Sequence, residues 1–155
     1  MSRISIFIYL CFLVSLDLGL KSLAINNFTQ FETIPFLPFL NFYLTYNSGI
    51  AFSMFDFGPG ASSYILLLIG LFIVVFLLKQ LIIEARTLSQ AAYIFIIGGA
   101  LGNIIDRAGD GVVTDFLHLY INNFSFFIFN PADAFISLGA ILLITSELKM
   151  QKSNG

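Results

Sequence analysis

The chain has 155 residues, of which 58% are hydrophobic and 10% charged, with a formal net charge of −2. Soluble domains carry about 25% charged residues, so the composition excludes an ordinary soluble domain, and the acidic balance without a basic run argues against a nucleic-acid partner. One cysteine, Cys11, excludes an internal disulfide, and one histidine, His118, excludes zinc-protease motifs that need two.

The apolar residues are concentrated in blocks. No charge interrupts the 22 residues from Phe57 to Leu78 or the 19 from Thr87 to Ile105, and about 20 such residues cross a bilayer core of roughly 30 Å. Four spans are predicted. The first, residues 4–24, is interrupted by Asp17 and Lys21, and Cys11 reads as a small apolar filler within it. Ser22-Leu23-Ala24 has the small-x-small form of a signal-peptide cleavage site, but Lys21 sits badly in such a segment and the span is read as retained.

An outward segment, 25–60, follows; Pro35 to Phe57 is rich in Phe, Tyr, Leu and Thr, with turn residues at Asn47-Ser48-Gly49. Span two is 61–78. Span three is 89–107, with Gly98 and Gly102 four apart, where a neighbouring helix can approach closely. In the segment 108–130, two β-prone runs, Val112–Ile121 and Phe124–Phe129, are separated by Asn122-Asn123. Span four is 131–148. The expected fold is therefore an all-α membrane core of four transmembrane helices with a small extracytoplasmic β-sheet, forming one domain over residues 1–155.

Five of the seven Lys/Arg residues, Arg3, Lys79, Arg86, Lys149 and Lys152, fall on one side of these spans. The positive-inside rule makes that side cytoplasmic, with both termini inside. The remaining notable polar residues then gather at the outer face. Asp17 and Lys21 are i,i+4, the favourable order for an ion pair; they serve either that pairing or substrate contact. Asn103, Asp106 and Arg107 share a helix face, either as an Asp106–Arg107 brace or with Arg107 directed at a substrate carbonyl or a carboxylate. Asn130-Pro131-Ala132-Asp133 reads as a helix start with Asn at the N-cap, which also suits Asp133 as an ionised carboxylate at a helix N-terminus. Asp110 between glycines reads as a turn residue, and His118 as a surface or interface histidine.

Asp115, in an apolar run with no base nearby in sequence, is harder to explain structurally. Paired with Asp133 it suggests an aspartyl dyad. Two adjacent carboxylates cannot both ionise readily, so they share a proton. One then takes a proton from water while the other donates to a carbonyl oxygen. A rival class is a small membrane transporter or channel subunit that uses intramembrane acids for ions or protons.

The ordered blocks are more specific than the pair. Asn47-Ser48-Gly49-Ile50-Ala51-Phe52, the run from Gly98 to Arg107, Gly111-Val112-Val113-Thr114-Asp115-Phe116 and Phe129-Asn130-Pro131-Ala132-Asp133, preceded by Asp17 and Lys21, resemble lipoprotein signal peptidase (signal peptidase II). The resemblance implies a bacterial inner-membrane aspartyl protease that cuts diacylglyceryl-modified prolipoproteins before the lipidated cysteine. It implies Asp115 and Asp133 as the catalytic pair, with Asn47, Asn103, Arg107, Asn130, Asp17 and Lys21 as supporting or substrate-binding residues and Asp106 as structural. No metal or organic cofactor is implied. The expected partners are lipidated prolipoproteins and membrane lipids, and the protein is expected to be a monomer.

Overall fold

The computed structural model describes residues 1–49, 61–121 and 124–153. Ile50-Ala51-Phe52 of the first motif, the rest of the segment to residue 60, and the Asn122-Asn123 turn lie outside the described residues.

The elements run α1 (Arg3–Asn27), β1 (Thr33–Leu37), β2 (Leu40–Asn47), α2 (Ala61–Ile83), α3 (Thr87–Asp110), β3 (Val113–Ile121), β4 (Phe124–Phe129) and α4 (Pro131–Ser153). All four helices are long and apolar enough to cross a membrane. Each runs a turn or so beyond its predicted span at one or both ends, because helical hydrogen bonding continues past the point where the side chains turn polar. α1 starts at Ser2, whose hydroxyl accepts the Ser5 N–H at 3.1 Å. α3 ends where Gly111 adopts a left-handed φ of 88° and returns its N–H to Arg107 O at 2.9 Å. Asp110 is the expected turn residue, accepting the Val112 N–H at 3.1 Å.

α3 is the central helix and packs against α1, α2 and α4. Leu13 of α1, Val74 and Leu81 of α2, and Ile94 and Ile97 of α3 form the buried core. Gly98 and Gly102 do admit a neighbour: a Cβ on Gly98 would lie 3.0 Å from Leu13 Cβ, and one on Gly102 only 2.5 Å from Asp17 Oδ2. Most remaining large apolar side chains point outward, among them Phe7, Phe72, Ile82 and Ile141. A membrane protein buries these in lipid instead of in a core. Cys11 is on this exposed surface and does not fill the bundle interior.

The sheet is antiparallel in the order β1-β2-β3-β4. Its inner face seats Leu44 and Phe116 against Ala24, which ties it to the C-terminal end of α1. At the opposite end of the bundle, Arg86 bonds Glu84 at 2.8 Å and Glu147 at 2.6 Å. There the Met1 ammonium also donates to Gln90 Oε1 at 2.7 Å, and Ser89 meets Ser146 at 2.7 Å. The two ends therefore differ in kind, one closed by ion pairs and the other by an aromatic-rich sheet.

Candidate active site

α4 begins directly after β4, and a helix start leaves backbone N–H groups without partners. Pro131 has no N–H to satisfy. Asp17 Oδ1 accepts the N–H of Ala132 at 2.9 Å, and Asn130 Oδ1 accepts that of Asp133 at 3.0 Å. Asp133 Oδ2 in turn accepts the Asn130 N–H at 3.2 Å, the reciprocal arrangement of a capping box. Its other oxygen accepts Asn103 Nδ2 at 2.9 Å. Asp133 is thus a cap that also presents its carboxylate to a cavity.

Asp115 reaches the same place from the sheet. It pairs across β2 with Thr45, while Asn47 pairs with Val113, so Asn47 is its diagonal neighbour on one face. Asn47 Nδ2 donates to Asp115 Oδ2 at 3.1 Å and Asn130 Nδ2 to Asp115 Oδ1 at 2.6 Å. The following residue, Phe116, points the other way into the sheet core. Asn130, wholly buried, therefore joins the two aspartates: its amide nitrogen holds Asp115 and its amide oxygen and backbone hold Asp133.

The orientation of all three asparagine amides is dictated by their other partners. An ammonium and a backbone N–H can only donate. Asn103 Oδ1 faces Lys21 Nζ at 2.8 Å, Asn47 Oδ1 faces the Gly49 N–H at 3.0 Å, and Asn130 Oδ1 faces the Asp133 N–H. Each amide must therefore turn its NH2 toward an aspartate. The two aspartates sit among fixed donors.

Behind this layer, Asp17 and Lys21 form the expected ion pair at 2.9 Å with side chains 0% and 2% exposed. Asp17 Oδ2 receives no well-directed hydrogen bond, and the adjacent ammonium balances its charge. Lys21 also meets Asp106 at 3.2 Å. Asp106 accepts the Thr114 N–H at 2.8 Å, which ties α3 to the strand bearing Asp115. No Asp106–Arg107 brace forms, since consecutive helical side chains diverge. Arg107 donates instead to the carbonyls of Ser48 and Gly111 at 3.2 Å and of Asn47 and Gly49 at 3.3 Å. It clamps the turn that carries Asn47.

The cavity has a volume of about 950 Å³ and lies between α2, α3, α4 and β4. Asn47, Asn103, Arg107, Asp115 and Asp133 reach its wall, and its lower part is apolar, with Leu66, Ile104 and Ile141. Asn130, Asp17, Lys21 and Asp106 do not line it. Burial, and then the charge of Asp133, push the Asp115 carboxyl up to about 6 against the opposing pull of Asn130, Asn47 and Lys21. Among the described residues no group of three His, Cys, Asp or Glu converges as metal ligands would. His118 is elsewhere, bonded to Ser125 at 2.7 Å and beside Tyr43 and Tyr120.

Comparison with known proteins bears on what this cavity is for. The family described as Signal peptidase (SPase) II matches residues 9–149. The chain belongs to the signal peptidase II family. As a signal peptidase II with four apolar helices, it is a multi-pass protease of the bacterial inner membrane. It is 39% identical over 133 residues to the lipoprotein signal peptidase of Yersinia pseudotuberculosis serotype O:1b (strain IP 31758), covering 84% of this chain and 79% of that protein. To that of Mesorhizobium japonicum it is 41% identical over 136 residues, covering 87% and 80%. Two solved structures described as bacterial membrane enzymes, both determined by the in meso method, share the fold. One has a TM-score of 0.87 at 28% identity, covering 99% of this chain and 93% of that one. The other has a TM-score of 0.84 at 29% identity, covering 95% and 94%.

Several contacts of this signal peptidase II site were not anticipated from sequence. Thr114, which fastens Asp106, differs from other polar strand residues only in preceding Asp115. Ser63 donates to Gly111 O and so joins α2 to the α3 terminus. Neither has a signal that periodicity or charge would expose.

Proposed function

We propose that the protein is an aspartyl endopeptidase that removes the signal peptide from diacylglyceryl-modified prolipoproteins, cutting before the lipidated cysteine. The observation that carries this reading is the pair of carboxylates, Asp115 and Asp133, at the wall of one cavity, both held by buried Asn130, whose amide donates to Asp115 and whose backbone N–H donates to Asp133. Asp17, Asp106, Asp115 and Asp133 share this layer with only Lys21 and Arg107 as cations, so full ionisation would leave two excess negative charges. One proton on the dyad relieves part of that excess.

Asp115, with its carboxyl pushed up to about 6, is the member suited to hold that proton. Asp133 accepts hydrogen bonds from Asn103 and the Asn130 N–H at the start of α4. In the reaction Asp133 takes a proton from water, which attacks the scissile carbonyl carbon, while Asp115 protonates the carbonyl oxygen. Collapse of the tetrahedral species breaks the C–N bond, with the proton held by Asp133 passing to the leaving amine and a hydroxyl proton returning to Asp115 as the carboxyl group forms. Asn47 and Asn130 hold Asp115, and Asn103 holds Asp133. Lys21 fixes Asn103, Asp17 secures the start of α4, Asp106 braces the strand, and Arg107 holds the turn bearing Asn47.

In the same reading residues 1–155 act as one domain and a monomer, with no nucleic-acid partner and no cofactor. The ion-paired end lies in the cytoplasm with both termini, and the sheet and dyad lie at the extracytoplasmic interface. The gathering of Arg3, Lys79, Arg86, Lys149 and Lys152 away from the sheet supports that orientation. Exposed Phe31, Phe36, Phe39 and Phe124 on and beside the sheet suit contact with membrane lipid. The test is incubation of the purified protein in lipid vesicles with one prolipoprotein in lipidated and unlipidated forms. Mass spectrometry should find a new N-terminus at the lipidated cysteine and none on the unlipidated chain. Equal cleavage of both forms, or of neither, would overturn the assignment.

A further inference from the structure

The two edges of the sheet differ in a way that the proposed reaction does not explain. β1, one edge, carries Pro35 and an irregularity in pairing between Pro35 and Leu37. Natural sheets use both devices to prevent an edge from accepting another strand. β4, the other edge, reads Phe-Ser-Phe-Phe-Ile-Phe, with no proline and no charge, and although its own register shifts between Ser125 and Phe127, the stretch Phe127-Ile128-Phe129 pairs regularly with β3. Among the described residues it pairs only with β3. A regular apolar stretch of edge without proline or charge is a template for strand addition.

Its position makes that edge informative. Phe126, Phe127, Ile128 and Phe129 all border the cavity that holds Asp115 and Asp133. Side chains alternate between the faces of a regular strand, so the consecutive residues Phe127, Ile128 and Phe129 reach one cavity when the strand presents its edge to it. Along this regular stretch successive residues direct their N–H and C=O alternately at β3 and at the cavity. The strand also runs straight into Asn130, which holds both carboxylates. A chain paired along these three residues would extend about 10 Å at about 3.3 Å per residue and finish at the two aspartates.

We propose that the free edge of β4 binds the extended backbone of the substrate next to the scissile bond, which adds to the sheet as a fifth strand. The inference rests on the peptidase reading and deepens it. Main-chain pairing supplies alignment that is indifferent to side-chain identity, and the lipid and the cysteine are left to supply specificity. It also holds the peptide extended, which exposes the scissile carbonyl to attack from the side of the aspartates.

The test uses the intact protein in bicelles and a lipidated peptide substrate in which each backbone amide near the cleavage site is replaced, one at a time, by an ester. An ester lacks the N–H donor. We expect kcat/KM to fall on the order of tenfold at alternate positions and little at those between. Phe127→Pro and Ile128→Pro complete the experiment, because one removes an N–H directed at β3 and the other an N–H directed at the cavity. The second should fold, raise KM and abolish the penalty of the ester opposite it. Ester sensitivity without a period of two, or wild-type KM in both folded proline variants, would overturn strand addition while leaving the peptidase reading intact. An unmodified lipidated peptide that is not cut would instead overturn both.

Discussion

Replacing Asn130 by Asp separates the two jobs of that residue. Aspartate is as good an N-cap as asparagine, so the bond to the Asp133 N–H, 3.0 Å in the wild type, is retained. What disappears is the donor 2.6 Å from Asp115 Oδ1. Asp115 becomes an anion as it gives up its proton in the reaction; a hydrogen bond to a charged group is worth about 1.5–3 kcal/mol, and about 1.4 kcal/mol is tenfold in rate. The lost donor alone therefore predicts a fall of roughly 10- to 150-fold. An ionised carboxyl there would also repel the Asp115 anion that forms as its proton passes to the carbonyl oxygen, by about 4 kcal/mol at about 4 Å and an effective dielectric near 20. We expect turnover to fall by at least about 100-fold, with an apparent Tm no lower than that of Asn130→Ala. The alanine variant loses cap and bridge together and should lose about 2 kcal/mol of stability. Cleavage of a lipidated peptide, read beside thermal unfolding in the same detergent, checks both. Wild-type turnover in Asn130→Asp would refute the bridge and reduce Asn130 to a helix cap.

Other perturbations probe the layers around the dyad. Gly102→Ala places a Cβ 2.5 Å from Asp17 Oδ2, whereas a Cβ on Gly109 meets nothing within 4 Å. The first should lower stability by about 1–3 kcal/mol and reduce activity, and the second should do neither. Equal Tm values would contradict the packing account. The pH dependence of stability has a fixed sign. The folded chain binds the Asp115 proton more tightly than the unfolded chain, at about 6 against 3.8. That stabilisation is fully present below the unfolded value and is lost as pH rises through about 6. Relative to Asp115→Asn, the wild type should therefore lose on the order of 3 kcal/mol across this window, and parallel unfolding profiles would refute the buried acid. His118→Ala, which removes only the Ser125 bond and aromatic contacts away from the cavity, should retain near-wild-type turnover.

The helices were legible because lipid imposes a rule that composition obeys directly: about 20 apolar residues per crossing, with charges outside. The runs Val112–Ile121 and Phe124–Phe129 were legible as strands, since β3 and β4 nearly coincide with them. That some helix would approach α3 at Gly98 and Gly102 followed from spacing, whereas only the structure identifies it as α1. The convergence of polar residues at one end also followed from topology. Their pairing did not. Lys21 meets Asn103 across 82 residues of sequence and Asp17 meets Ala132 across 115, separations over which no local pattern operates. Arg107 next to Asp106 reads as an ion pair on paper, yet helix geometry sends the two apart, one to backbone carbonyls and the other to Lys21 and Thr114. Asp133 is a cap, as the helix start predicts, and its other oxygen accepts Asn103 at the cavity wall, so capping leaves a carboxylate oxygen directed at the cavity.

The central claim is that Asp115 and Asp133 act together on a peptide bond. Its most direct test is single-turnover cleavage of a lipidated prolipoprotein by wild type, Asp115→Asn and Asp133→Asn, each shown by thermal unfolding to be folded in the same lipid. The account predicts that neither variant releases the signal peptide. Release at the wild-type rate by either folded variant would contradict it.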